Sequence, residues 1–315
     1  MAEPAGEVLV TPRSLTAHGL ESLDVLDPLR EAGYSLVSGP AGIAPTLDDL
    51  TRLSPEIVGW IAGVERIGAA ELDLFPHLRA ISRNGAGADG IDIAAAAERG
   101  IRVLTARGAN ARGVAELTIG LILNALRRIS WSNDELHSGG WSRAVALEMP
   151  DVTLGVVGLG AIGQTVADLC AALGARVLAH DPLAPNDPAG ATVRVDLRTL
   201  LQDADVVTLH APAPPDGEPL LGAAEIMSMR RGAILVNTAR SRLVDPDAVL
   251  SALNSGALSS YSVDAFDEEP PTLTPLLRSP GTVMTPHAGA YTHASVLRAS
   301  SAAVQNLLTI LGHSR

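Results

Sequence analysis

At 315 residues the chain has the length for about two domains with substantial cores. It is 47% hydrophobic and 18% charged, a globular balance, and a net charge of −12 without any basic tract argues against a nucleic-acid partner. An anionic ligand must then be drawn in by local arginines and not by the overall field. The single Cys170 excludes an intramolecular disulfide framework and reads as a small buried hydrophobe. The opening MAEPAGEVLV lacks a basic region and a long apolar core, so it is not read as a signal peptide. The longest apolar segment, around Val114 to Leu126, carries Glu116 and Asn124 and is too short to span a bilayer. A cytoplasmic protein without membrane contact is expected, and no metal site is read.

In chain order, Glu7 to Val10 reads as a first strand. Leu20 to Glu31 reads as a helix stopping at Gly33, and Tyr34 to Val37 as a strand. Ile57 to Ile61 gives a strand, Ala69 to Phe75 a helix and Leu78 to Ser82 a strand, while the alanine run 94–97 suits a helix. Alternating elements of this kind imply a parallel sheet covered by helices, ending at about Leu104. Val114 to Ile129 is apolar nearly all round, so this helix is buried against its own domain or a partner subunit. Arg127 and Arg128 near its end suit the helix dipole.

Val152 to Asp181 carries the strongest signal. An apolar run, Val152 to Val157, leads into Gly158, Gly160 and Gly163 in the G-x-G-x-x-G spacing. Ile162, Val166, Leu169, Cys170 and Leu173 then share one helical face, Gly174 ends the helix, and Val177 to Ala179 leads to Asp181, 18 residues beyond Gly163. Gly158 permits a tight turn, Gly160 lets backbone approach a pyrophosphate, and Gly163 lets helix and strand pack closely. The helix start offers free N–H groups to phosphates. A carboxylate at Asp181 can accept both ribose hydroxyls of NAD and would repel the extra phosphate of NADP. Further strands are read at Asp205 to Leu209, Ala233 to Val236, Ser260 to Val263 and Val283 to Thr285. Ala248 to Asn254 suits a helix ending near Gly256, and the final helix, Ser295 to Leu311, can cross back onto the amino-terminal unit.

Ligands of open α/β sheets sit at the carboxyl ends of strands. Asn237-Thr238-Ala239-Arg240 follows one strand, so Arg240 is expected at a ligand. Asp264 closes another, leading to Asp267, Glu268 and Glu269-Pro270; Asp267 and Glu268 read as a solvated turn, Glu269 as the acid fixed by Pro270. Thr285-Pro286-His287-Ala288-Gly289 follows the last strand. A carboxylate that orients an imidazole, the imidazole as proton donor and acceptor, and an arginine that polarises a carbonyl and grips an anion are the set that carbonyl reduction needs. The glycine-rich NGAGADGID, from Asn84 to Asp92, is equally a flexible turn or an anion-binding nest.

Taken together, NGAGADGID, GANARGVAELTIG, GVVGLGAIG, the acid of HDP, MRRGAILVNTARSRLVD, VDAFDEEP and TPHAG resemble the D-isomer-specific 2-hydroxyacid dehydrogenases over nearly the whole chain. The resemblance implies an α/β protein of two Rossmann-like domains with parallel sheets. An NAD-binding Rossmann domain, 106–287, is inserted into a flavodoxin-like substrate domain, 1–105 with 288–315, and the active site lies between them. It implies an NAD-dependent oxidoreductase interconverting a small D-2-hydroxy acid and its 2-keto acid, with Arg240, Glu269 and His287 as the catalytic set. Ala86 and Gly87, with Arg240 and His287, would bind the substrate. NAD would be held by Gly158, Gly160, Ala161, Ile162, Gly163, Asp181, His210, Ala211, Pro212, Thr238, Ala239, Asp264, His287 and Gly289. Asp264 takes the nicotinamide carboxamide, and the helix from Val114 matches the one used for homodimer contacts. Three departures stand out. Ala161 stands where many relatives carry a positive residue, Arg107 replaces a common proline, and EMPDVTLG replaces a Gly-Lys-Thr lead into the strand. An NAD-sensing binding protein of the corepressor type and a dehydrogenase of another small anion such as phosphite are the alternatives. Glu269 disfavours a formate dehydrogenase, which carries glutamine there.

Overall fold

The computed structural model describes residues 5–184, 192–214 and 217–312. Its chain forms two compact units, Met1–Asn110 with His293–Arg315 and the contiguous Ala111–Thr292. Both units are α/β, each built on a wholly parallel sheet.

In the first unit the strands are β1 Gly6–Val10, β2 Tyr34–Ser38, β3 Ile57–Ala62, β4 Ala80–Arg83 and β5 Arg102–Thr105, in the order β2-β1-β3-β4-β5. β5 has no counterpart among the strands read from the sequence, because its polar ends mask a four-residue run. The region read as a helix from Leu20 begins as a 3₁₀ turn at Asp24–Leu26 and becomes α-helical only over Asp27–Glu31. Pro28 is the reason: its ring fits the first helical turn and would clash inside a longer helix. Helix His293–Leu311 closes this unit, placing Ala303, Val304, Leu307, Leu308 and Leu311 in one core with Val8, Val10, Leu26 and Ile61. Gly59 makes room for it, since a Cβ there would stand 3.1 Å from the Leu307 side chain.

The second unit has β6 Thr153–Val157, β7 Arg176–His180, β8 Val193–Arg194, β9 Val206–Leu209, β10 Ala233–Asn237, β11 Leu258–Val263 and β12 Thr282–Met284. Their order is β12-β11-β10-β9-β6-β7-β8. The winding therefore reverses between β6 and β9, the switch point beyond which such sheets bind ligands. β9 and β10 are buried at every position, as central parallel strands covered on both faces must be.

Helix Ala111–Arg127 buries Val114, Thr118, Leu121 and Ile122 at helical spacing and packs in this unit's core. It differs from the sequence reading at both ends, and Arg128 stops it with a left-handed φ of 54°. The Arg128 guanidinium lies 4.5 Å over the Trp131 ring, and the following helix, Ile129–His137, buries no side chain. Helix Ala161–Ala172 buries Gly163, Val166, Ala167 and Cys170. Leu173 lies past its end and is exposed, so it does not share that face. Burial pushes the Cys170 thiol up to about 12, which leaves it an inert apolar group.

Candidate active site

The glycine loop between β6 and helix Ala161–Ala172 occupies the switch point. Gly158 has φ +94°, and a Cβ there would meet the His210 carbonyl carbon and the Ala211 nitrogen at 2.7 Å. A Cβ on Gly163 would stand 1.9 Å from the Gly158 carbonyl oxygen, so helix and loop can touch here only because residue 163 is glycine. Gly160 differs: a Cβ there meets nothing within 4 Å, and its open side is where a pyrophosphate can approach. Ala161 and Ile162 start the helix with no acidic residue in the first turn, leaving its N–H groups to an anion.

Asp181 follows β7. Its Oδ2 accepts from the Leu159 N–H at 2.8 Å, and its Oδ1 from the Leu183 and Ala184 N–H groups at 2.8 and 3.1 Å. Burial alone would raise its pKa, but these three donors and the charge of Arg194 outweigh burial and hold it below the ordinary value. Asp181 is therefore a fixed anion. Arg194 itself donates to the Ala184 carbonyl at 2.8 Å.

His210, Ala211 and Pro212 follow β9. His210 Nε2 lies 3.0 Å from Thr208 Oγ1, and burial pushes the imidazole down to about 3, so the ring is neutral. Its Nδ1 is buried with no hydrogen-bond partner among the described residues, a group that a ligand can satisfy. Open space at Gly160, the helix start, the fixed Asp181 anion and this unpartnered nitrogen fit a dinucleotide. NAD would be held along this edge.

At the end of β10, Thr238 is pinned by its Oγ1 to Thr118 Oγ1 at 2.9 Å. Arg240 is half-buried in extended backbone and donates from Nη1 to the Ala239 carbonyl at 2.7 Å. One loop further, Asp264 is 2% exposed and gathers the β12 loop around itself. Its Oδ1 accepts from Thr285 Oγ1 at 2.6 Å and the Ala288 N–H at 2.8 Å, and its Oδ2 from the Gly289 N–H at 2.9 Å. His287 sits inside that clamp with a left-handed φ of 50°, a rare conformation for a residue with a side chain. Its Nδ1 lies 2.5 Å from Glu269 Oε1, and both side chains are partly exposed. A carboxylate only accepts, so Nδ1 carries the proton here and Nε2 is left to exchange protons with a ligand.

These contacts and motifs meet a match at the level of family. Residues 119–289 fit the D-isomer specific 2-hydroxyacid dehydrogenase NAD binding domain. The chain belongs to this dehydrogenase family. It is 38% identical over 297 residues to the D-3-phosphoglycerate dehydrogenase of Methanocaldococcus jannaschii, covering 91% of the chain and 57% of that longer protein. It is 34% identical to the hydroxypyruvate reductase of Thermotoga maritima, covering 91% of the chain and 97% of that enzyme. Among solved structures, the TT0316 protein of Thermus thermophilus superposes with a TM-score of 0.85 at 36% identity, covering 98% of each chain. The cofactor of this dehydrogenase-family chain is NAD.

Not every expected residue belongs to this edge. Ala86 and Gly87 lie in the turn after β4 of the first unit, where Arg83 donates from Nη1 to the Asn84 carbonyl at 2.6 Å. Arg107 is exposed. Asp267 is an exposed residue of a turn, as expected, and it also makes contacts that the sequence reading did not include. Its Oδ1 accepts from Ser241 Oγ at 2.8 Å and from Arg242 Nε at 2.9 Å. It thereby ties the loop carrying Glu269 to the loop carrying Arg240. Those partners are 25 and 26 residues away, and no local pattern announces them.

Proposed function

We propose that the chain catalyses the reversible, NAD-dependent reduction of a small 2-keto acid to the D-2-hydroxy acid. The observation that carries this reading is the 2.5 Å contact between His287 Nδ1 and Glu269 Oε1, on a loop fixed by the buried Asp264. Bound NADH supplies the hydride. His287 gives the proton to the carbonyl oxygen from Nε2, while Glu269 steadies the imidazolium through Nδ1. Arg240 grips the substrate carboxylate and polarises the carbonyl. Ala86 and Gly87, in the unit Met1–Asn110 with His293–Arg315, offer backbone N–H groups to a substrate carboxylate in this reading, with that unit as the substrate domain. Asp264 keeps a lone pair on Oδ2 for the nicotinamide carboxamide, beside Thr238, Ala239 and Gly289.

The proposed form is a cytoplasmic homodimer binding neither nucleic acid nor membrane. A dimer is supported by Trp131, Leu136, Trp141, Val145 and Leu147, apolar side chains left exposed beyond the helix Ala111–Arg127. NADH oxidation with glyoxylate, pyruvate and hydroxypyruvate tests the activity, and light scattering the assembly. NADH binding without turnover of any acid would favour a sensor, and a monomer at micromolar concentration would refute the dimer.

A further inference from the structure

Asn237, the last residue of β10, is wholly buried, and its amide is engaged on both sides. Nδ2 donates to the Arg240 carbonyl at 2.7 Å, and Oδ1 accepts from the Ala239 N–H at 3.1 Å. The phenol of Tyr261 on β11 interacts with the same side chain, which lowers its pKa against burial. The register explains the meeting. Tyr261 pairs with Leu235, and Asn237 lies two residues beyond Leu235, so both side chains leave the same face of the sheet. Tyr261 is 2% exposed, and burial, opposed only in part by Asn237, keeps its hydroxyl protonated.

Burying an amide and a phenol in a core gives little stability over an apolar pair of the same shape, because each hydrogen bond replaces one to water. What the polar pair adds is direction. Arg240 stands in extended backbone between β10 and the 3₁₀ turn Ser241–Leu243, and the Leu243 N–H, at 3.1 Å from its carbonyl, holds it from the far side. A long side chain that must present two N–H groups to a carboxylate needs a fixed origin. We propose that Asn237, seated by Tyr261, is the positioning residue for Arg240. The amide closes the turn from Ala239 to Arg240, and the phenol sets the amide's orientation. Neither residue touches substrate. The inference rests on Arg240 being the substrate-binding cation proposed above.

A double-mutant cycle on the full chain tests it, with NADH and whichever of the three keto acids turns over fastest. Asn237→Ala should lower kcat/KM by about 10²-fold, the scale of an ångström's misplacement. Tyr261→Phe keeps the ring and should cost about fivefold, the scale of one neutral hydrogen bond. NADH Kd should change far less than kcat/KM in both, since the glycine loop and Asp181 are untouched and Asn237 bears on the cofactor only through the Ala239 N–H. In an Arg240→Ala background neither change should lower kcat/KM further, because residues acting as one unit are not additive. The Ki of oxamate, a keto-acid mimic, should follow the same pattern. Losses that persist in the Arg240→Ala background, or an NADH Kd that rises with a falling Tm, would overturn the relay and leave the reading of Arg240 standing. Intact turnover in Arg240→Ala alone would overturn both. If Asn237→Ala does not fold, the Tyr261→Phe cycle decides by the same criterion.

Discussion

The clamp around His287 turns on a single carboxylate, and Asp264→Asn tests it with the least change in size. Asp264 accepts three hydrogen bonds, two at Oδ1 and one at Oδ2. An asparagine has one acceptor atom. Placed at the Oδ1 site it keeps Thr285 and Ala288 but turns its amide nitrogen towards the Gly289 N–H, donor against donor. The reverse orientation keeps Gly289 and loses the other two, so the first is preferred. Its cost is one hydrogen bond to a charged group, about 1.5–3 kcal/mol, and a buried donor left unpaired, about 1–3 kcal/mol. The two overlap in part because the loop can relax, so about 3 kcal/mol is expected. Asp264 is 2% exposed, and solvent screening does not reduce that figure. In a unit of this size, about 3 kcal/mol corresponds to a fall in Tm of roughly 6–12 °C. Because the released segment carries His287, kcat should fall by about tenfold or more as well. Calorimetry with and without NADH, alongside steady-state rates, reads both effects. A variant within about 1 °C and twofold of the parent would refute the clamp.

Three other changes probe separate parts of the site. Gly163→Ala puts a Cβ 1.9 Å from the Gly158 carbonyl oxygen, a backbone atom that cannot turn aside. It should cost about 3 kcal/mol or more in urea unfolding and weaken NADH binding, and a cost below about 0.5 kcal/mol would show that the loop yields freely. With Asp181 held ionised, a 2′-phosphate meets a like charge, so kcat/KM for NADH should exceed that for NADPH by about tenfold or more, and equal values would remove Asp181 from the ribose. Glu269→Gln keeps a partner for His287 Nδ1 but removes its charge, so the imidazolium formed in turnover loses the carboxylate that steadies it. kcat/KM should then fall by about tenfold or more in both directions. His287→Ala should cost about 10²–10⁴-fold in both directions with NADH binding intact, and a Glu269→Gln variant within about twofold of the parent would uncouple Glu269 from the catalytic proton.

What the sequence discloses about this site follows the range of the interactions involved. Gly158, Gly160, Gly163 and Asp181 are legible because a strand, a glycine spacing and a helical period fall within about one β-α-β unit. His287 and Glu269 are legible as motif residues and as an acid–base pair, although 18 residues separate them, because both follow strands that end at one sheet edge. Asp264 is read as a cofactor ligand, whereas its three hydrogen bonds reveal it as the anchor of the His287 loop. Tyr261 gives no signal at all, because an aromatic residue in a strand is ordinarily core and its partner lies on the neighbouring strand. Asp267 is solvated as its acidic neighbourhood suggests, but its bonds to Ser241 and Arg242, 26 and 25 residues away, have no local signal. Pro28 is different, a helix boundary whose meaning is wholly local.

The helix His293–Leu311 also has a consequence for the timing of biosynthesis. A ribosome delivers β1 to β5 well before this helix. Until Leu307, Leu308 and Leu311 emerge, Val8, Val10 and Ile61 lack the apolar layer that covers them. The contiguous Ala111–Thr292 waits for nothing later in the chain and can fold on the way out. The nascent protein therefore passes through a stage with its younger half finished and its older half open, the interval in which a holding chaperone has most to protect. Truncation just before His293 would make that stage permanent.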